Sequence, residues 1–297
     1  MTGASGFIGG HVVDALLSQG HEVQAVARHA GMARQAVTWH EADLLDPGAH
    51  EALTGAAQAT HLIHLAWHVA PGSFWSAPEN ERWIDASLRL LRAFGEAGGR
   101  RVVMAGTCAE YRWDGEVSSE RHTPLAPTTL YGACKHATHV AAAVMAEQLG
   151  LALAWGRVFF LYGPGEHSDR LVASVVRGLL AGHEVPTTEG HQRRDFMHVS
   201  DVARAFVALL DSQVTGAVNI ASGLAIPVRE LIMLIARTVG EPARVRFGEL
   251  PPRSGEPELI AGETARLTDE VGFRPTIGLR EGIGETVAWW RAGDGAT

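Results

Sequence analysis

Cysteine is nearly missing from this chain of 297 residues, and the two that occur, Cys108 and Cys134, are too few for a disulfide framework. Their scarcity fits a reducing compartment, and a cytoplasmic protein is expected. A basic surplus is missing as well. The net charge is -8, whereas nucleic-acid phosphates need an electropositive surface, so no nucleic-acid partner is expected. No apolar run approaches the ~20 residues that span a bilayer, and the N-terminus carries no basic, hydrophobic leader. Neither a membrane nor export is expected. Internal repeats and low-complexity tracts are lacking. Histidines number 15, yet only His64 and His68 approach a ligand spacing. They sit at a strand end, where i and i+4 do not share a face, so no metal site is expected.

What is present is the balance of a folded α/β protein. Hydrophobic residues make up 46% and charged residues 20%, and the length suits a large domain with a smaller partner. Short β-like runs at 23–27, 37–39, 62–66, 102–105 and 151–157 alternate with helical patterns at 11–18, 84–95 and 132–148. Such alternation predicts right-handed βαβ units and a parallel sheet covered on both faces, with uniformly apolar strands. After Tyr162-Gly163-Pro164-Gly165 it weakens. A helix at 171–181 is followed by a strand-helix passage at 196–210 and a strand at 217–221. The tail from Pro227 is mostly helical, interrupted at Pro251-Pro252. The expected α/β architecture is a doubly wound parallel sheet over residues 1–162, to which 187–222 returns. Residues 163–186 and 223–297 are expected to form a smaller, mostly helical substrate lobe.

Gly3, Gly6 and Gly9 form a Gly-x-x-Gly-x-x-Gly run that opens the first helix. Glycines permit a tight turn and let the backbone approach a pyrophosphate, whose charge is favoured at a helix N-terminus. Alone, such a triplet also reads as an ordinary turn; its place at the head of a βαβ series argues for dinucleotide binding. Only Met1 and Thr2 precede it, where a central strand should stand, so a few further residues are expected ahead of Met1. An NAD enzyme wants an acid after the next strand to bind ribose hydroxyls. Here that strand ends Val26-Ala27-Arg28-His29. Arg28, helped by Arg34, can pair with a 2′-phosphate, or it is a solvated surface arginine. NADP(H) is favoured and NAD(H) left open. Asp43-Leu44 reads equally as an adenine contact or as a cap ahead of Asp46-Pro47.

Tyr131-Gly132-Ala133-Cys134-Lys135 places Tyr and Lys at i and i+4, on one helical face. A tyrosine hydroxyl titrates near 10, and a neighbouring ammonium favours the phenolate and lowers that value. Lys135 would also hold a nicotinamide ribose. Thr107 follows the strand at 102–105, at the end where α/β sheets bind ligands. Its hydroxyl can bond the same substrate oxygen as Tyr131, completing a general acid/base site. Read alone, Thr107 is a turn or cap residue. Glu110 and Tyr111 stand close enough in sequence to reach a substrate.

With these motifs in order, the chain resembles an extended short-chain dehydrogenase/reductase of the nucleotide-sugar epimerase/dehydratase family over nearly its whole length. The matching pieces are Thr2-Gly3-Ala4-Ser5-Gly6-Phe7-Ile8-Gly9, His64-Leu65-Ala66, Thr107 four residues before Tyr111, and Pro127 ahead of Tyr131 to Lys135. Arg157 before Tyr162-Gly163-Pro164-Gly165, then Arg194-Asp195-Phe196-Met197-His198-Val199-Ser200-Asp201-Val202 and Asn219-Ile220-Ala221-Ser222-Gly223, complete the set. The resemblance implies a Rossmann-type fold, with cofactor contacts at Gly3, Ser5, Gly6, Phe7, Ile8, Gly9, Leu65 and Ala66. It implies hydride passing between nicotinamide and a sugar carbon, with Tyr131 as acid/base, Lys135 as its activator and Thr107 as the third member. A nucleoside-diphosphate sugar is the implied substrate, its diphosphate contacted by Arg194 and Arg253, and a homodimer is the implied assembly.

Three positions depart from the family pattern. Its dehydratases carry Asp-Glu after the active-site Thr, where this chain has Cys108-Ala109, so water elimination is not expected. Phe160 replaces the family's Asn before Tyr-Gly-Pro, which suggests a modified or less polar sugar. A usual Asn is absent around 83–85. The segment 67–75 is rich in aromatics and, led by Trp67, lines the substrate cleft or packs a domain seam. The favoured function is a nucleotide-sugar 4-ketoreductase using NADPH, ahead of an epimerase that retains NAD. A cofactor-sensing binding protein without turnover ranks last, given intact Thr107, Tyr131 and Lys135.

Overall fold

The computed structural model describes residues 1–29, 36–252 and 254–293. In chain order the elements run α1 (Phe7–Ser18), β1 (Val23–Ala27), β2 (Val37–Glu41), α2 (Ala49–Ala57), β3 (His61–His64), α3 (Glu79–Glu96) and β4 (Arg101–Thr107). They continue with α4 (Leu130–Gln148), β5 (Ala152–Val158), β6 (Phe160–Tyr162), α5 (Leu171–Leu180), β7 (Val185–Thr187), β8 (Arg193–His198) and α6 (Val199–Asp211). The last are β9 (Gly216–Ile220), β10 (Ala225–Pro227), α7 (Val228–Val239), β11 (Val245–Phe247), β12 (Leu259–Ile260) and α8 (Leu279–Arg291).

Strands β3, β4, β5 and β9 pair in that order, all parallel, and β1 pairs with β2 in the same sense. Thr2 bridges Val26 and His64 in parallel and joins the two parts at the centre of the sheet. Side chains alternate across a strand, and here both faces are dry. Val103 of β4 enters a core with Val12 and Leu16 of α1 and Val202 and Phe206 of α6. Its neighbours Val102 and Met104 enter the opposite core, with Leu90 and Phe94 of α3 and Ala142 of α4. This is the doubly wound sandwich expected from the uniformly apolar runs.

A third core joins α5, α7 and α8 through Val176, Leu179, Leu231, Ile235 and Ile283. Small strands cover it: β8 pairs with β6, β10 and β12, and β7 with β11. Within 187–222, therefore, β9 joins the large sheet and β8 does not. The carboxylate of Asp195 on β8 accepts the backbone N–H groups of Ser222 (2.8 Å) and Gly223 (2.9 Å), and this ties β8 to the connection that leads from β9 of the large sheet to β10 of the small one. No helix among the described residues is long and apolar enough to cross a membrane.

Candidate active site

The glycine run folds as a turn whose first and last glycines touch. A Cβ on Gly9 would lie 1.9 Å from the carbonyl oxygen of Gly3, so no other residue fits there. Gly6 precedes α1 with no side-chain cap, and the first turn of α1 holds no acid. Its N–H groups and the helix dipole are thus left for an anion, and the bare glycine backbone gives it close approach. A pyrophosphate fits this cradle. Ser5 and Gly6 are exposed, Phe7 lies edge-on to His11 at 6.1 Å, and Ile8 packs into the core. Leu65 and Ala66 run beside the turn, held by Thr2: Leu65 N–H donates to its carbonyl at 3.3 Å and Ala66 N–H to its hydroxyl at 3.4 Å.

Arg28 is exposed just beyond β1. Arg34 and Arg253 lie outside the described residues. The Asp43 carboxylate accepts the Leu45 N–H at 3.0 Å and closes its own turn, while Leu44 is buried among the apolar side chains under α3. The helix cap weighed for Asp43 is not formed: Gly48 stands at the N-cap of α2.

Thr107, Tyr131 and Cys108 come together at the C-terminal end of β4. Thr129 caps α4 by accepting the Gly132 N–H at 3.1 Å, which sets Tyr131 in the first turn. Tyr131 is buried, its ring met edge-on by Phe74 (5.0 Å) and Trp75 (5.8 Å), and its N–H donates to the Trp75 carbonyl at 3.1 Å. Burial pushes the Tyr131 hydroxyl up from its ordinary value, and hydrogen bonding with Thr107 works the other way. The lowering by Lys135 expected from the i, i+4 spacing is therefore not what the site delivers. Of the 25 lysines and arginines in the chain, Lys135 alone is a lysine. Its ammonium donates to the Ala105 carbonyl at 2.8 Å and lies 3.8 Å above the Trp67 ring. Burial lowers the Lys135 value to about 7, and the charge of Glu110 opposes that.

Trp67 is fixed from two sides. Its indole N–H donates to Asn80 at 2.7 Å, and its ring stacks on Trp83 at 6.1 Å. Asn80 is buried and donates in turn to the carbonyls of Phe74 and Ala77. The family's missing Asn is replaced at 83 by this stacking Trp, and sequence reasoning passed over Asn80 one turn earlier. The aromatic segment thus both packs on Tyr131 and roofs Lys135.

Beside this group, Cys108 is buried with Tyr111, Phe159 and Ile260, against which Phe160, Trp113 and Leu125 pack. Burial pushes the Cys108 thiol up to about 12, so it stays neutral. Arg194 stands 5.7 Å over the Phe160 ring; its guanidinium donates to Glu256 at 3.0 Å and to the Arg193 carbonyl at 2.8 Å. The diphosphate contact implied for Arg194 must therefore compete with a carboxylate. Arg170, which the sequence reading did not single out, acts on the Tyr131 hydroxyl as a nearby positive charge. Glu110 does not face a substrate: it is fully buried and turned inward. His64 is held between the hydroxyls of Thr2 (2.7 Å) and Ser87 (2.9 Å), and burial drops it to about 3. Among the described residues, Glu110, His136 and His139 have potential metal-ligand atoms within 4.8 Å of one another. A cation there would have to displace the Arg157 guanidinium from Glu110.

A glycine-lined anion cradle at one end of a parallel sheet, next to a buried Tyr-Thr pair and a lysine, defines a Rossmann-type oxidoreductase site. The chain belongs to the NAD dependent epimerase/dehydratase family, whose sequence model matches residues 1–221. It is 29% identical over 321 residues to a dTDP-4-dehydro-6-deoxy-D-allose reductase of Streptomyces bikiniensis, covering 98% of this chain and 95% of that one. Among solved structures, it superposes on a UDP-glucose 4-epimerase of Thermotoga maritima with UDP-glucose at a TM-score of 0.88, 26% identity and 98% coverage of both chains. MoeE5, in complex with UDP-glucuronic acid and NAD, gives a TM-score of 0.87 at 30% identity, also with 98% coverage of both.

Proposed function

We propose that this protein is a nucleotide-sugar 4-ketoreductase, in which Tyr131 protonates the sugar carbonyl oxygen. The observation that carries this reading is the buried Tyr131 set against Thr107 at the end of β4, with Cys108 and Ala109 standing where elimination would need acids. Burial raises the Tyr131 hydroxyl, so at neutral pH it is held as a proton donor, the form a reduction consumes. Thr107, hydrogen-bonded with it, shares the oxygen as it gains charge. A bound nicotinamide dinucleotide would supply hydride to the carbonyl carbon. The glycine cradle would hold its pyrophosphate, Lys135 its nicotinamide ribose, and exposed Arg28 a 2′-phosphate, which favours NADP(H). Arg194 would meet the substrate diphosphate on release from Glu256. Water elimination has no means here, since Cys108 stays a neutral thiol and Ala109 has no proton to move. The apolar wall of Cys108, Phe160 and Trp113 suits a sugar with few hydroxyls on that side.

The second reading is 4-epimerisation with retained cofactor. It is favoured by the likeness to the Thermotoga maritima epimerase and to MoeE5 with its NAD. One pair of assays separates the two. The small molecule released on denaturing freshly purified protein is identified by mass spectrometry, and turnover is followed with NADPH and a 4-keto nucleotide sugar. Consumption of NADPH with a 4-hydroxyl product supports the reductase. Released NAD, no keto-sugar turnover and interconversion of 4-epimers would replace it with the epimerase.

We also propose that the protein is a homodimer through the outer face of α4. Val140 (53% exposed) and Val144 (55%) stand there beside Ala137, Ala141 and Met145. Glutamates at 140 and 144 should give a monomer by light scattering, and an unchanged mass would remove α4 from the contact.

A further inference from the structure

The end of β4 is gripped from two sides. On one, the Ala105 carbonyl accepts the Lys135 ammonium at 2.8 Å. On the other, the Thr107 N–H donates to Glu110 Oε1 at 2.8 Å, and the Thr107 hydroxyl accepts the Ala109 N–H at 3.2 Å. Gly106 lies between them with no room for a side chain. A Cβ there would stand 2.0 Å from the Trp155 indole nitrogen and 2.6 Å from Glu110 Oε1. The Glu110 carboxylate thus sits directly beneath the backbone that carries both contacts. It is wholly buried and accepts from three donors: Thr107 N–H, Trp155 Nε1–H at 2.8 Å and Arg157 Nε–H at 3.0 Å. Arg157 is pinned in turn, donating to the Tyr111 hydroxyl at 2.9 Å, which donates to Asn219 at 2.7 Å. His139 stacks on Trp155 at 4.7 Å and lies 3.8 Å from Glu110 Oε2.

We propose that Glu110 is a positioning residue for the reaction: its carboxylate fixes Thr107 through the backbone N–H and sets a buried negative charge beneath the strand end that carries the Lys135 contact. The proposal rests on the roles given above to Thr107 and Lys135. Both depend on one carboxylate, so a change at Glu110 acts on the aim of Thr107 and the charge of Lys135 together. The groups shown to act on Lys135 are Glu110, the Ala105 carbonyl, the Trp67 ring and neutral His64 on β3. Those facing Glu110 are Arg157 on β5 and His139 on α4, which burial keeps neutral at about 4. Glu110 is the anion that supports the ammonium; a purely structural Glu110–Arg157 pair would leave Lys135 untouched.

Because the chain has one lysine, ¹³C-lysine labelling gives a single side-chain signal, and its pH titration needs no substrate. Glu110→Gln should move the Lys135 midpoint downward by about one pH unit, a tenfold smaller ratio of charged to neutral lysine at fixed pH. Glu110→Asp should restore most of it. Glu110→Gln strands the Arg157 cation, which can prevent folding. Glu110→Gln with Arg157→Gln removes both charges and serves as the second variant. An unchanged lysine midpoint in either folded variant overturns the proposal. Loss of keto-sugar turnover, with kcat falling more than KM rises, should accompany the shift. If the wild type turns over no keto sugar, the proposed reaction fails while the titration still judges Glu110.

Discussion

Replacing Lys135 by methionine should stabilise the protein, and the gain should vanish as pH rises. The lysine is buried and holds a value of about 7, against an ordinary 10.5 in the unfolded chain. Between those two values the unfolded chain binds a proton that the folded protein does not. Stability therefore climbs with pH across that window, and the cost of burying the ammonium is greatest below it. Each pH unit in the window is worth about 1.36 kcal/mol. From pH 7 to roughly pH 9.5, wild type should gain about 3 kcal/mol on Lys135→Met, whose stability lacks this component. Stopping there leaves most tyrosine ionisation outside the comparison.

The assay is urea unfolding of both proteins, without ligand, at matched pH values, read as the difference between them. Other titrating groups cancel in that difference. The single lysine signal gives the folded midpoint independently. The Trp67 face supports the charged form, a contact worth about 0.5–2 kcal/mol, so Trp67→Leu should move that midpoint further down. A wild-type minus variant difference that stays flat from pH 7 to about 9.5 would refute the reasoning, because linkage allows no flat difference if the midpoint lies near 7.

Tyr131→Phe keeps the ring between Phe74 and Trp75 but removes the acid. Turnover should fall by about 10² to 10⁴ with cofactor affinity little changed, and unchanged turnover in steady-state assays would remove Tyr131 from its role. Arg28→Ala should weaken NADPH by about 10-fold to 100-fold, the worth of one charge-assisted contact, and NADH far less. Equal losses in a calorimetric titration would show that Arg28 does not read a 2′-phosphate. Gly9→Ala forces a methyl against the Gly3 carbonyl and should cost about 1–3 kcal/mol of stability. Cofactor binding should drop with it, and a variant that melts and binds like wild type would contradict the tight turn.

What the sequence made legible is what depends on local pattern. The strand at 23–27 and the alternation of β4 between two cores follow from apolar runs alone, as do the strands β1 to β5 and the helices α3 and α4; α2 and the short strands of the small lobe do not. The first helix begins at Phe7, ahead of the predicted start at 11, because the glycine turn itself enters the helix. The electrostatics could not be read this way. Tyr131 is buried by Phe74 and Trp75, and Lys135 is roofed by Trp67, all from a loop more than fifty residues earlier. That burial reverses the sign expected for Tyr131, since desolvation outweighs the neighbouring cation. The partner of Arg194 likewise comes from Glu256, across the small lobe.

Glu110 is the instructive case, because its signal was present. Thr107-x-x-Glu110 is a capping-box pattern, and the structure has both reciprocal bonds. Read as a cap, it turns the Glu110 carboxylate toward the backbone and away from the cleft. Read with Arg157 on the next strand, it predicts a buried pair below the catalytic end of β4. A residue three positions after a candidate catalytic threonine was weighed as a substrate contact because proximity in sequence suggested reach. The hydrogen-bonding needs of the turn decide otherwise: a 3-10 turn buried at the end of β4 must satisfy the Thr107 N–H, and the nearest acceptor able to do so is Glu110.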